Sequence, residues 1–381
     1  MIGPHLQRRR LLRGLAIAAL PLGAGGCGIW PWSSSKPKLP ELPPAAALPI
    51  AWTRPLRGAG LGFQPTFIAD SIWAAARDGT VLRADARSGR EIWRQQVGKP
   101  LIAGAGSDGE TVVVAARDGT LIALTRDGAP KWTMQIGAEA TSVPVVALGV
   151  VIVRTSDNRV LAVETDSGRR RWTFQRQNPP LVLRQTSLNA IDATTAYVGL
   201  PGGRLVALSL ETGALRWEAA VATPKGSNEI ERISDVVGSP LVSGREVCAA
   251  TFQGRLACFE TGNGRTAWAR ELSSPSGFDL DGRLLVAVDE RGDVHGYSRS
   301  GASVWRQDKL RQRVLSAPLL TPRRVIVGDA QGLLHVLSRD DGALQARATT
   351  DGSRIAGAPV AAGDLAVIQT AAGALYAVRA D

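Results

Sequence analysis

A short cassette recurs eight times along this chain at intervals of about forty residues, so the chain must stack its repeats rather than fold around one undivided core. The first copy, RDGTVLRADARSGREIW, ends at Trp93, and the second, RDGTLIALTRDGAPKW, at Trp132. Later copies end at Trp172, Trp217, Trp268 and Trp305. The seventh has Ala346 in place of Trp, and the eighth, AAGALYAVRAD, stops before reaching that position.

Each cassette reads as turn, strand, turn, strand. Gly79, Gly119, Asn158, Gly203, Gly254, Gly292, Gly332 and Gly373 mark the first turn, where a residue tolerant of positive φ is needed. Gly89, Gly128, Gly168, Gly213, Gly264, Gly301 and Gly342 mark the second. Two residues after the first marker stands an apolar residue, from Val81 to Leu375. Two further on stands a small one: Ala123, Ala162, Ala207, Cys258, Gly296 and Ala377. Arg83 breaks this small column and Val336 enlarges it. Apolar then small suits sheets packed closely face to face.

β-Branched runs such as TVVVAA and RVIVGD precede the first turns and read as further strands. Each unit thus supplies four strands, the size of a propeller blade, and neighbouring blades bury one another's faces in a ring. The cassette Trp is expected to plug the gap between adjacent blades. The fold class expected is all-β, an eight-bladed propeller of four-stranded antiparallel blades. The incomplete last unit finds its missing strand at the other end, where PIAWTR (49–54) carries a cassette-type Trp52. Residues 49–381 then form one ring with no open sheet edge at the seam.

The period breaks twice. Trp172 to Trp217 is 45 residues and Trp217 to Trp268 is 51. The extra residues lie in QNPPLVLRQTS (177–187) and ATPKGSNEIERISDVVGSP (222–240). Insertions in repeat proteins fall in loops of one face, often the binding face, so function is sought there first.

Residues 1–26 hold Arg8, Arg9, Arg10 and Arg13, an apolar run from Leu15 to Ala24 and no acid. This is the pattern of a secretory signal peptide. Arg8-Arg9 loosely resembles a twin-arginine export signal, though a plain basic n-region accounts for it. The segment runs into Ala24-Gly25-Gly26-Cys27, small residues before a Cys that resemble a bacterial lipobox. Cys27 is therefore the expected lipidated N-terminus, with ordinary cleavage and a free thiol as the other reading. Gly28 follows where Asp would mark inner-membrane retention, which points to the outer membrane. Residues 27–48, rich in Ser, Pro and Lys, read as an extended tether.

The net charge is +11 for the full chain and +7 once the four N-terminal arginines are removed. The excess is scattered, with no basic stripe interleaved with aromatics, so nucleic acid is not an expected partner. Cys248 and Cys258 flank one first turn and could face each other. An oxidising compartment would permit a disulfide, and two small buried residues fit equally. His295 and His335 share one cassette position and read as strand residues rather than metal ligands. With no Ser-His-Asp set, metal-ligand cluster or phosphate loop in sight, no catalytic residue, cofactor or metal is expected.

The cassette, with its Asp-Gly turn and terminal Trp, resembles the pyrroloquinoline-quinone-type propeller repeat. Quinone-dependent alcohol dehydrogenases share it, but they are much longer and many carry a disulfide between adjacent cysteines, which this chain lacks. The chain is more similar to the BamB family, lipoproteins of the outer-membrane β-barrel assembly machinery. The likeness spans lipobox, tether, eight blades, closing strand and both insertions. PKGSNEIERISDV (224–236) looks like that family's loop, and PPLVLR (179–184) like its Leu-x-Leu-Arg segment. The resemblance implies docking on the periplasmic POTRA domains of BamA through Leu181, Leu183, Arg184 and Asp235. It also implies aid to unfolded outer-membrane precursors and a lipid anchor in the outer membrane. Val237 stands where the family often has a second acid, a loss that Glu229 and Glu231 are placed to offset.

Overall fold

The computed structural model describes residues 39–41, 48–60, 62–177, 179–183 and 189–380. Cys27, the signal segment, most of the tether and Arg184 lie outside them. Every regular element among the described residues is a β-strand, thirty-two in all, from Ile50–Arg54 to Leu375–Arg379. They form eight four-stranded antiparallel sheets. Blades 1 to 7 span 66–96, 106–135, 145–175, 190–220, 236–271, 278–307 and 319–349. Blade 8 takes three strands from 360–379 and its outermost strand from Ile50–Arg54, which pairs with Leu375–Arg379. The innermost strands touch in order from blade 1 to blade 7, and that of blade 8 meets that of blade 1. The eight-bladed ring expected from the repeat is the fold observed.

Each cassette Trp does two jobs. Within its own blade it lies directly opposite the small column: Ala123 faces Trp132, Ala162 faces Trp172, Ala207 faces Trp217, and Gly296 faces Trp305. A Cβ on Gly296 would sit 2.5 Å from the Trp305 ring. The column is small to make room for the cross-strand indole, a more specific cause than close sheet packing. Blade 7 confirms this by inversion, since the larger Val336 faces Ala346, the one cassette position that lost its Trp.

Toward the next blade, the indole covers the second-turn glycine. Gly89 of blade 1 has φ +66°, and a Cβ there would come within 2.5 Å of Trp52 in blade 8. The same contact joins Trp93 to Gly128, Trp132 to Gly168, Trp172 to Gly213, Trp217 to Gly264, Trp268 to Gly301 and Trp305 to Gly342. Most of these indoles also donate to a carbonyl of the covered turn: Trp52 to Ala86 at 3.0 Å and Trp172 to Leu210 at 2.9 Å. Trp therefore plugs seven of the eight blade boundaries. At the eighth, between blades 7 and 8, there is no second-turn hairpin to cover, because the outermost strand of blade 8 comes from Ile50–Arg54 rather than from a hairpin after Leu375–Arg379. Leu48 packs into that boundary instead, beside Ala346 and Tyr376.

Two irregular residues find particular partners. Arg83, opposite Trp93, is buried over the Trp73 ring, 4.9 Å from its centroid, and donates from Nε to Ser71 Oγ at 3.0 Å. Cys248 and Cys258 are cross-strand neighbours in blade 5 and form a disulfide. It closes a loop of 10 residues in sequence separation, so replacing both cysteines by Ala is expected to lower stability by about 2–3 kcal/mol, read by chemical denaturation.

Candidate functional site

Strand pairing sorts the loops onto two faces. First turns lie beside the connections between blades: the Val97 N–H bonds to the Gly79 carbonyl and the Val221 N–H to the Gly203 carbonyl. Second turns lie at the opposite strand ends, beside the turns that join each blade's first two strands. Both insertions are inter-blade connections, from blade 3 to 4 and from blade 4 to 5. They therefore emerge side by side on the first-turn face.

One carboxylate ties them together. Asp235, only 5% exposed, accepts the Leu183 N–H on Oδ2 at 2.6 Å and the Gly202 N–H on Oδ1 at 3.0 Å. It thus joins the second insertion, in which it stands, to the first insertion and to the first turn of blade 4. Buried Arg154 of blade 3, which donates to the Gly199 carbonyl at 3.0 Å, lies in its field. Burial works against the Arg154 charge and Asp235 supports it. Asp235 is a positioning residue with little surface of its own, a role that the sequence pattern did not signal.

The leucines behave differently from each other. Leu181 is 41% exposed, whereas Leu183 is half-buried. Pro179, Leu181, Gly202, Pro224, Glu229, Arg232 and Asp235 line a groove of about 190 Å³ between the insertions. Its outer wall is a short self-capped turn at 226–233. The Glu231 N–H donates to Asn228 Oδ1 at 3.0 Å, while the Glu231 carboxylate accepts the Ser227 N–H at 2.8 Å and Asn228 Nδ2 at 2.9 Å. This arrangement is similar to a capping box, shifted by one residue on the backbone side and without a following helix. Ser227 and Asn228 hold the Glu231 carboxyl below its ordinary range. Glu231 is thus spent inside the loop and does not offset the acid missing at Val237. Glu229 lies 3.6 Å from Arg232. The loop leaves Ile230 67% exposed. Sequence reasoning passed over Ile230 because one apolar residue in a polar loop carries no periodicity.

The remaining clusters are structural. Asp289, Asp293 and His295 bring ligand atoms within 4.8 Å of one another. Asp293, however, binds Arg306 and Arg311, and Asp289 pairs with His295 at 3.0 Å, so the group is neutralised by its own cations. His335 is fully buried against Asp329 at 2.9 Å, and Arg313 binds the same carboxylate at 2.7 Å. Both histidines are blade residues with a carboxylate partner. The axial channel, about 600 Å³, is walled by inner-strand residues such as Phe278, Leu319 and Val360.

Comparison with known proteins decides what this arrangement belongs to. The family model described as "Outer membrane protein assembly factor BamB" matches residues 77–307 and 290–381. The protein of that name from Bordetella pertussis is 40% identical over 378 residues, covering 98% of each chain. The chain belongs to the BamB family. A second BamB, from Burkholderia pseudomallei, is 40% identical over 344 residues, 90% of each chain. The crystal structure of BamB from Moraxella catarrhalis superposes with a TM-score of 0.80 at 28% identity, covering 87% of this chain and 100% of that one. A quinohemoprotein alcohol dehydrogenase from Comamonas testosteroni reaches a TM-score of 0.69 at 15% identity, a likeness of fold alone.

Proposed function

We propose that this chain is a non-enzymatic scaffold of outer-membrane protein assembly, held at the outer membrane by a lipid on Cys27 and facing the periplasm. Residues 1–26 act as the signal peptide and 27–48 lead from the lipid to the propeller. The docking surface consists of Leu181, Leu183, Arg184 and the 222–235 loop with Ile230, and its partner is the set of POTRA domains of BamA. The observation that carries this reading is the bridge made by Asp235. It fixes two insertions from adjacent blade boundaries into one surface with exposed leucine and isoleucine at its rim. A rigid apolar rim beside an Arg has the make-up of an interface hot spot. Unfolded β-barrel precursors are a second partner, met through strand pairing at the ring's outer edges.

Arg184→Glu is expected to abolish co-purification with BamA from solubilised envelope while leaving the thermal melt unchanged. Full co-purification by that variant would place the docking surface elsewhere.

A further inference from the structure

The first turn of blade 4 lacks a part that several other first turns supply themselves. In blades 1, 2, 6 and 7 the turn's own aspartate accepts a backbone N–H two residues on. Asp78 accepts the Thr80 N–H at 2.9 Å, Asp118 that of Thr120 at 3.0 Å, Asp289 that of Arg291 at 2.9 Å and Asp329 that of Gln331 at 2.8 Å. Such a bond from a side chain to its own turn fixes the turn's shape. Blade 4 has Leu200-Pro201-Gly202-Gly203 across the same positions, with both glycines at φ +71° and no polar side chain. Two glycines in a row are the most conformationally free pair a turn can have.

The missing carboxylate comes from the connection into the next blade. Asp235 stands one residue before the first strand of blade 5 (Val236–Ser243), and its Oδ1 accepts the Gly202 N–H at 3.0 Å. The other end of the same stretch is held from the previous blade. Arg154 ends the blade 3 strand Val150–Arg154 and donates from Nη1 to the Gly199 carbonyl at 3.0 Å. Gly199 is packed closely as well, since a Cβ there would sit 2.4 Å from Val236 Cγ1. Residues 199–202 are thus held by a cation of blade 3 and an anion leading into blade 5. Both charged side chains are buried, and Asp235 favours the Arg154 cation against the effect of burial. Opposite charges buried together depend on each other, because removing one leaves the other uncompensated.

We propose that Arg154 is a positioning residue for the loop surface at blades 3 to 5. With Asp235 it locks the first turn of blade 4 from both sides, and so fixes both insertions against that turn. Arg154 is buried and meets no partner itself; it acts through Asp235, whose second oxygen accepts the Leu183 N–H at 2.6 Å. Loss of the Arg154 charge therefore loosens the blade 4 turn and the first insertion together, although they belong to different segments. The lock is a property of the fold; its effect on docking rests on the function proposed above.

Hydrogen exchange and binding test this in the full-length protein. In Arg154→Met, which keeps the bulk without the charge, the Leu183 and Gly202 amides should both exchange about tenfold faster, while blades 6 to 8 keep their native rates. Titrated with purified POTRA domains of BamA, Arg154→Met and Asp235→Asn should each bind about tenfold more weakly, and the double variant no more weakly than either alone. The loss should be the same at low and high salt, as for a buried charge and unlike one on the rim. Native exchange at both amides in Arg154→Met overturns the proposal. So does a double variant whose loss is the product of the single losses, or a loss that changes with salt. If Arg154→Met does not fold, Arg154→Gln, neutral but still a donor, takes its place in the same comparisons. If the native protein does not bind the POTRA domains, the partner reading fails on its own, and the exchange rates still decide the lock.

Discussion

Replacing Asp329 by Ala is expected to cost about 3–5 kcal/mol of stability, because it removes the carboxylate from a buried ion pair. Asp329 is 1% exposed and binds Arg313 at 2.7 Å and His335 at 2.9 Å, with neither partner more than 2% exposed. Burial alone would raise the Asp329 pKa. His335, the Leu333 N–H and Arg313 outweigh it and hold the carboxyl below its ordinary range. Burial lowers the His335 pKa below 6.5, against the pull of Asp329. Both shifts act in one direction. The unfolded chain binds more protons than the folded one as pH falls, so stability is complete above the unfolded His value and declines below it. Thermal melts should therefore fall from about pH 6.5 downward, and His335→Gln should flatten the first part of that decline. Asp329→Asn keeps the shape and removes the charge, so it should sit between native protein and Asp329→Ala. A melting temperature for Asp329→Ala equal to the native value would show that the cluster is not closed in solution.

Trp52→Ala is the second large effect, at about 3–5 kcal/mol. Trp52 belongs to the N-terminal strand but covers Gly89 of blade 1 and donates to the Ala86 carbonyl. Its neighbour Arg54 also binds the Gly89 carbonyl. The substitution leaves a cavity at the boundary of blades 8 and 1, where the last blade meets the first. Hydrogen exchange should quicken first in blades 8 and 1. If protection is lost evenly around the ring, the seam is no weaker than any other boundary.

Much of this was legible in the sequence because blades repeat. The turn glycines, the apolar column and the stray strand at Trp52 together specify eight blades and their closure. The small column was legible as a pattern but not as a cause. Its meaning needs the pairing register, which places each small residue under its own blade's indole, and only Val336 opposite Ala346 carries a trace of that in sequence. The proposed docking surface was legible as a break in period. The separate tasks of its residues were not, because they depend on which backbone N–H groups each side chain meets in the folded loops. Asp235 read as a charge for a partner, yet its oxygens face two backbone N–H groups. Glu231 read as a spare acid, yet it caps its own loop.

The central claim is that the partner is met by the apolar rim of the first-turn face at blades 3 to 5, and two leucines test it. Leu181 lies on that rim, 41% exposed, and Leu148 lies on the opposite face of blade 3, 61% exposed. Neither supports the core, so each accepts an aspartate without unfolding the ring. Titrating purified POTRA domains of BamA against both variants is the direct measurement. Leu181→Asp should weaken binding roughly thirtyfold, the loss of one hot-spot side chain, while Leu148→Asp binds as the native protein does. Native affinity in Leu181→Asp, or an equal loss in both variants, would contradict the account.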